Sequence, residues 1–458
     1  MSNVPTDAAP TSSVVRAAVR REMLELAIPA SLLLLLQRGV GIVDTAMVGP
    51  LGADTLAAAG VANILTLNAM TIVWGLATAT STLVAYHTGA DEPTRVRQIG
   101  LTSLLTAFAL SLVLAALGPV LTPSLLSVLG VTAPVRALAM GYLTLTWVFL
   151  PAKAGTAVGV AMFQGIGRPR IPLYVEVCVN VSHIALAYVW IYGRAGFPAM
   201  GLMGAAWATV LTESCGALVT LGLARHWRLW GGVIERRLRA HLDDFTRLVT
   251  IGLPAAGERI LTTSMQLLYA KLIIAFGTAA YAAHQVGLNI EAFAFLPGWG
   301  CSQATSVLVG QALGARQHER VPTVIAESLK VSVALLGAIG AVFLLAPQWL
   351  VSAFTGPGEV HRLAVIWIML VGPLMVPMAI TMSLFGALRG AGHTRTVMTS
   401  TLLGAWATRL PLAFYIATLP LGITGLYAIW STTYADWLVR SAMTGWRVRR
   451  IKWSEVRL

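Results

Sequence analysis

The residues with the most chemistry in them are ionisable side chains set in apolar surroundings. Asp44 lies in Val43-Asp44-Thr45-Ala46-Met47-Val48-Gly49, near the outer end of the first long apolar stretch. A carboxylate shielded from water can exchange a proton near neutral pH or bind a cation, and ionisable groups inside lipid point by default to function. The plainer readings are a pair with Arg38 or a side chain that simply reaches the outer surface. Glu258 falls midway along a later stretch and is followed by Arg259; Lys271 lies further along it, and Glu291 sits mid-stretch in the next. These are candidate coupling or substrate-binding charges, or else buried ion pairs with no transport role. Glu213 and Asp436 occupy two more stretches, while Arg409 and Lys153 read as charge partners or as long side chains reaching for the membrane surface. The chain has no HExxH zinc motif, no GxSxG elbow and no phosphate-cradling P-loop. The expectation is a protein that is no enzyme, needs no cofactor, and is driven by an ion gradient rather than by ATP.

The elements that must position these charges are apolar nearly all round. Hydrophobic residues make up 57% of the 458, charged residues only 11%, and the mean hydropathy is +0.75. A water-soluble surface needs about 25% charged residues, so lipid is the solvent here. Twelve stretches are long enough for a membrane helix, near 24–48, 57–86, 98–121, 137–164, 171–192, 200–224, 248–275, 280–312, 323–346, 361–388, 396–417 and 421–441. The alternation of a β-barrel strand is absent. The sequence therefore predicts an all-α integral membrane protein.

Charge is distributed unevenly along the chain. With the N-terminus inside, 23 of the 32 basic residues fall on segments on that side, including the six arginines from Arg225 to Arg247, Arg389, Arg440 and the tail through Arg457. That asymmetry follows the positive-inside rule and places both termini in the cytoplasm. The net charge of +13 is accordingly assigned to membrane lipids as partners and not to nucleic acid, with the basic tail Arg447–Lys452 gripping anionic lipid. The first 22 residues lack a signal peptide's apolar core and cleavage site, so the first span is expected to stay. Cys178, Cys215 and Cys301 all fall inside spans, which argues against a disulfide framework.

A shift of 225 residues lays the chain upon itself. Pro29-Ala30 falls on Pro254-Ala255, Gly52 on Gly277, Thr80-Ser81-x-Leu83-Val84 on Thr305-Ser306-x-Leu308-Val309, and Gly89-Ala90 on Gly314-Ala315. Gly165, Gly167 and Arg170 fall on Gly390, Gly392 and Arg395. Six spans per half return the chain to the same side, so the repeats are parallel. The predicted layout is a cytoplasmic tail 1–22, an N-lobe 23–224, a basic linker 225–247 with an amphipathic helix, a C-lobe 248–441 and a basic tail 442–458. The twelve transmembrane helices form two six-helix pseudo-symmetric lobes around a central cavity. Prolines at 29, 151, 254, 297, 373 and 377 mark places where spans can bend.

At these residues the sequence resembles the multidrug and toxic compound extrusion (MATE) family. The matching stretches are IPASLLLLLQRGVGIVDTAMVGPLGADTLAAAGVA at 28–62, STLVAYHTGA at 81–90, GLPAAGERI at 252–260, the run from 277 to 315, and GALRGAGHTR at 386–395. The likeness is greatest to the bacterial and archaeal branch named for a DNA-damage-inducible member. It implies export driven by inward proton or sodium flow. By that resemblance Asp44 is the first-span carboxylate of cation coupling, Thr209 is a polar position of the same lobe, and Glu213, Glu258 and Glu291 stand where the branch often has acids. The fifth span departs from the pattern: Asn180 is kept, but His183 and Ala187 stand where a second Asn and an Asp are common. His183 is left either to titrate with Asp44 or to be a neutral hydrogen-bonded residue. Loss of an acid weakens a sodium site more than a proton site, so protons are favoured.

The expected function is antiport-driven export of amphipathic, often cationic, drug-like small molecules, by a monomer in the plasma (inner) membrane. A flippase for lipid-linked precursors and an intramembrane transferase are the alternatives.

Overall fold

The computed structural model describes residues 12–231 and 238–458, and these are helical almost throughout, with no strand among them. The first half holds α1 (Ser12–Val48), α2 (Ala53–Gly89), α3 (Pro93–Val128), the pair α4 (Ala133–Val148) and α5 (Leu150–Gly165), α6 (Arg170–Tyr192) and α7 (Leu202–His226). The second holds α8 (Leu238–Ile274), α9 (Thr278–Gly314), α10 (Arg320–Leu345), the short α11 (Pro347–Ser352), α12 (Glu359–Gly390), a span made of α13 (Thr394–Thr401), a π-helical segment (Leu402–Arg409) and α14 (Leu410–Ala417), and finally α15 (Ile423–Arg450). Seven single helices and the bent pair α4–α5 are apolar enough to cross a membrane alone. The more polar α8, α9 and α15 and the interrupted α13–α14 complete twelve spans in two lobes.

The repeat seen in the sequence is also a repeat of backbone conformation. Gly52 and Gly277 enter α2 and α9 with φ of 116° and 105°, values open to glycine and to few other residues. Asp91 and Arg316 both adopt φ near 55°, and Gly167 and Gly392 lie at 77° and 73°. Each half also has an apolar core, one running from Val48 to Leu229 and taking in Leu248 and Ile251 of α8, the other from Met265 to Trp437. A third cluster joins Val19, Met23 and Ala27 to α9, α10 and α12, with Val448 and Val456 packed against it, so both termini lie at one end of the bundle.

That terminal end is where the lobes close on each other. A Cβ on Gly89 would overlap the carbonyl of Gln311, and one on Gly314 would overlap that of Tyr86; these four residues are two pairs related by the 225-residue shift. Gln311 donates to Gly165 O at 3.0 Å, and Thr82 donates to Arg389 O at 3.2 Å. Arg20 bridges to Glu327 at 2.9 Å, and Arg320 hydrogen-bonds Glu22. Among the described residues, polar contacts between the halves continue as far as Arg38 to Asn289, 2.6 Å. Beyond it the end of α1 is largely exposed.

Several expectations meet the structure differently. Helix α1 begins by Ser12, inside the stretch read as a tail, and α15 runs to Arg450. The amphipathic helix expected in 225–247 falls partly on 232–237, outside the described residues. Of the marked prolines, Pro151 accompanies a 52° break between α4 and α5, whereas Pro29, Pro254, Pro297, Pro373 and Pro377 lie within helices that continue past them.

Candidate functional site

The first lobe collects its polar residues around one pair. His183 Nε2 lies 2.7 Å from Asp44 Oδ1, joining α6 to the far part of α1. The His183 side chain is 4% exposed and that of Asp44 34%, so the carboxylate faces open space with the imidazole behind it. Arg38, the partner that the plainer reading gave Asp44, is turned instead to Asn289 of the other lobe. Asn180 sits one turn earlier on α6, buried, and its Nδ2 is without a hydrogen-bond partner. Ala187, where relatives often carry an acid, is fully buried in the lobe's core.

A second pair stands close by. Lys153 Nζ on α5 lies 3.1 Å from Glu213 Oε2 on α7, and both are near enough to the first pair to interact with it electrostatically. Thr209 donates to Ala205 O at 3.0 Å and lies beside Tyr142, which is near the charges of Asp44, Lys153 and Glu213. Tyr142 and Glu176 were missed in the sequence. Glu176 lies close to Gln37 and to Glu213. Its spacing gave a usable signal, since 176, 180 and 183 share one helical face; nothing in the sequence distinguishes Tyr142 from other tyrosines.

The second lobe treats its acids differently. Glu258 is held by Arg389 at 2.6 Å, with both side chains under 10% exposed. Arg389 also donates to Ser302 at 3.4 Å and stacks on Trp299 at 4.4 Å. The sequence counted Arg389 and Arg440 among the basic residues outside the bundle; both are buried inside it. Arg440 grips Asp436 through Nε at 2.5 Å and Nη2 at 3.0 Å. Arg259 turns away from its neighbour Glu258 and lies over Trp74 of the other lobe, 4.2 Å from the ring. Lys271 is exposed and has no ion pair among the described residues. Glu291 interacts with Arg409, so the structure does not join Glu258 and Glu291 but gives each a different arginine.

Arg409 closes the π-helical segment, where one turn is widened by a residue; Thr408 bonds back five residues to Leu403 O at 2.9 Å. The segment fits because Gly404 lies flush against Asp436 and Arg440. Arg409 stands 4.0 Å over the ring of Tyr269 and 3.9 Å from Asp436. A shift of 225 places Tyr269 on Asp44 and Thr408 on His183, with Arg409 one residue further. The same place in the two lobes is thus an acid with a histidine in one and a tyrosine with an arginine in the other. Among the described residues no three His, Cys, Asp or Glu side chains gather into a metal-binding group.

Comparison with known proteins identifies the family and the fold. Residues 29–189 and 254–415 match the MatE family, one match to each half. The chain is 29% identical over 433 residues to a probable multidrug resistance protein NorM of Thermotoga maritima, covering 93% of this chain and 91% of that one. It is 31% identical over 432 residues to a protein of the same name from Bradyrhizobium diazoefficiens, covering 91% and 92%. Neither carries the name of the DNA-damage-inducible branch. A mutant of the Vibrio cholerae MATE transporter VcmN superposes with a TM-score of 0.89 at 20% identity, over 96% of this chain and 99% of that one. An outward-facing MATE family multidrug resistance transporter of the MOP superfamily gives 0.87 at 18% identity, over 98% and 100%.

Proposed function

The chain belongs to the MatE family, and from that premise we propose that it is a multidrug efflux transporter, not an enzyme, that exchanges inward-moving protons for amphipathic, often cationic, organic compounds. The observation that carries the coupling is the Asp44–His183 pair at 2.7 Å, with the Asp44 side chain about a third exposed. A proton on this pair and a cationic substrate beside Asp44 both draw on one carboxylate's negative charge. Binding of either therefore weakens binding of the other, and that reciprocity is required by linkage. Glu213 with Lys153, and Tyr142 with Thr209, set the field around the pair. A sodium ion would find one carboxylate here backed by an imidazole, a poorer oxygen shell than that ion prefers, so the proton is the preferred coupling ion.

The flippase reading calls for free cationic side chains. Of Arg38, Lys153, Arg259, Lys271 and Arg409, four are engaged with Asn289, Glu213, Trp74 and Tyr269, which favours the drug exporter, and Lys271 alone of the five is exposed without an ion pair among the described residues. The terminal end carries the excess of basic residues and is assigned to the cytoplasm, with the multi-pass chain in the plasma membrane, acting as a monomer, its basic C-terminal segment against anionic lipid.

The test is proton release from detergent-purified protein on adding a cationic dye. Release from the wild type that disappears in Asp44→Asn is the expected result. Equal release from both proteins would move coupling away from the first lobe, and dye binding without release would shift the reading to sodium.

A further inference from the structure

Away from the space between the lobes, an open cleft of about 510 Å3 lies where the terminal halves of α1 and α6 meet. Its polarity changes in one direction. Arg20 and Arg21 near the start of α1 and Arg170 at the start of α6 line its terminal end. Leu24, Ile28 and Leu32 follow at four-residue intervals, on one face of α1, with Leu173 and Tyr174 opposite. At about 1.5 Å per residue, the apolar run reaches roughly 12 Å inward from Leu24. All three of these α1 side chains and Tyr174 are exposed, so nothing among the described residues fills the groove they form.

The charges at the mouth are only partly satisfied among the described residues. Arg170 is exposed and has no ion pair among the described residues. Arg21 holds Glu25 at 2.9 Å, but both are open to solvent, where such a pair contributes little. Arg20 is committed to Glu327 across the lobes. Counted with Glu25 and Glu327, the mouth still has an excess of guanidinium.

We propose that this cleft binds one anionic phospholipid, with its phosphate between Arg21 and Arg170 and an acyl chain along Leu24, Ile28, Leu32 and Tyr174. Guanidinium groups pair with phosphate oxygens through two parallel hydrogen bonds. The order of headgroup charge and then hydrocarbon is the order found along the cleft. A lipid whose headgroup adds an ammonium places a cation beside three guanidiniums, which selects for net negative charge. Because Arg20 lines the mouth and also bridges to Glu327, the lipid and the closed terminal end share a residue. The site does not depend on which compound is exported.

Native mass spectrometry of the full-length protein, delipidated and then given phosphatidylglycerol or phosphatidylcholine, tests this. The expected result is one tightly held phosphatidylglycerol per chain, retained about tenfold better than phosphatidylcholine. Arg21→Gln with Arg170→Gln removes that preference, while the Arg21→Lys, Arg170→Lys version, which keeps the charge, retains it. Arg449→Gln with Arg450→Gln, at the basic end of α15, leaves the tight adduct in place. Equal retention of the two lipids, wild-type retention by the double glutamine variant, or loss of the adduct in the α15 variant would each overturn the proposal. A phosphatidylglycerol with a photoactivatable acyl chain should label peptides around Leu24–Leu32 and Leu173–Tyr174; labelling confined to other helices would overturn it as well.

Discussion

The two lobes are copies in outline and opposites at one position. Where the first carries Asp44 beside His183, with the carboxylate a third exposed, the second carries Tyr269 beneath Arg409, almost wholly buried. An acid–imidazole pair can take up and release a proton in the physiological range. A tyrosine under a guanidinium cannot, because the arginine stays charged throughout. The lobes also differ in which span they interrupt. The first breaks its fourth, at Phe149 with Pro151, and the second widens its fifth through residues 402–409. On the proposed reading, the duplicated scaffold keeps one half for exchange and turns the other towards fixed charge. Two acids of the second lobe, Glu258 and Asp436, are each paired with a buried arginine, Arg389 and Arg440.

The sharpest way to break this comparison is through Glu258. Glu258→Ala leaves Arg389 buried without its partner, and removing one member of a buried pair costs about 3–5 kcal/mol. Thermal unfolding in detergent should show that loss, whereas Asp44→Asn, at a half-open site, should stay within about 0.5 kcal/mol of the wild type. Similar losses for the two would erase the division between structural and exchanging acids. Next in size is His183→Phe, which deletes a hydrogen bond to a charged group worth about 1.5–3 kcal/mol. Dye-driven proton release should fall with it while the fold is retained; unchanged release would leave Asp44 acting without its partner. Gly89→Ala and Gly314→Ala should each cost about 1–3 kcal/mol by overpacking the α2–α9 crossing. Both should raise the labelling of cysteines introduced at the terminal end, and a response from only one would show that closure is not shared equally. The smallest effect is expected for Tyr269→Phe. It keeps the ring under Arg409 and loses only the 2.6 Å bond to Ile429 O, about 1 kcal/mol, with transport intact.

Much of this contrast could be read along the chain, but not its partners. Apolar length gave the spans, and the 225-residue shift gave the halves, because both are local properties of the sequence. Asp44 stood out because a charge in an apolar run is conspicuous wherever it lies. That it meets His183, and not Arg38, depends on how α6 leans against α1, across 139 positions of sequence. Arg389 misled for a physical reason. An arginine near the end of an apolar helix looks the same in sequence whether it reaches outward to lipid headgroups or inward to Glu258. The π-helical widening was equally hidden. Within it Arg409, one residue past the sequence counterpart of His183, stands over Tyr269, the counterpart of Asp44, and composition gives no sign of a one-residue change in register.

The crossing at Gly89 and Gly314 has one more consequence. Were the halves two separate identical chains, any substitution there would enter the interface twice, at both positions in the same step. Joined in a single polypeptide, each position can vary alone, and a change tolerable once need not be tolerable in duplicate. Covalent fusion therefore loosens what symmetry would otherwise forbid, and a chain so joined is free to let its halves specialise.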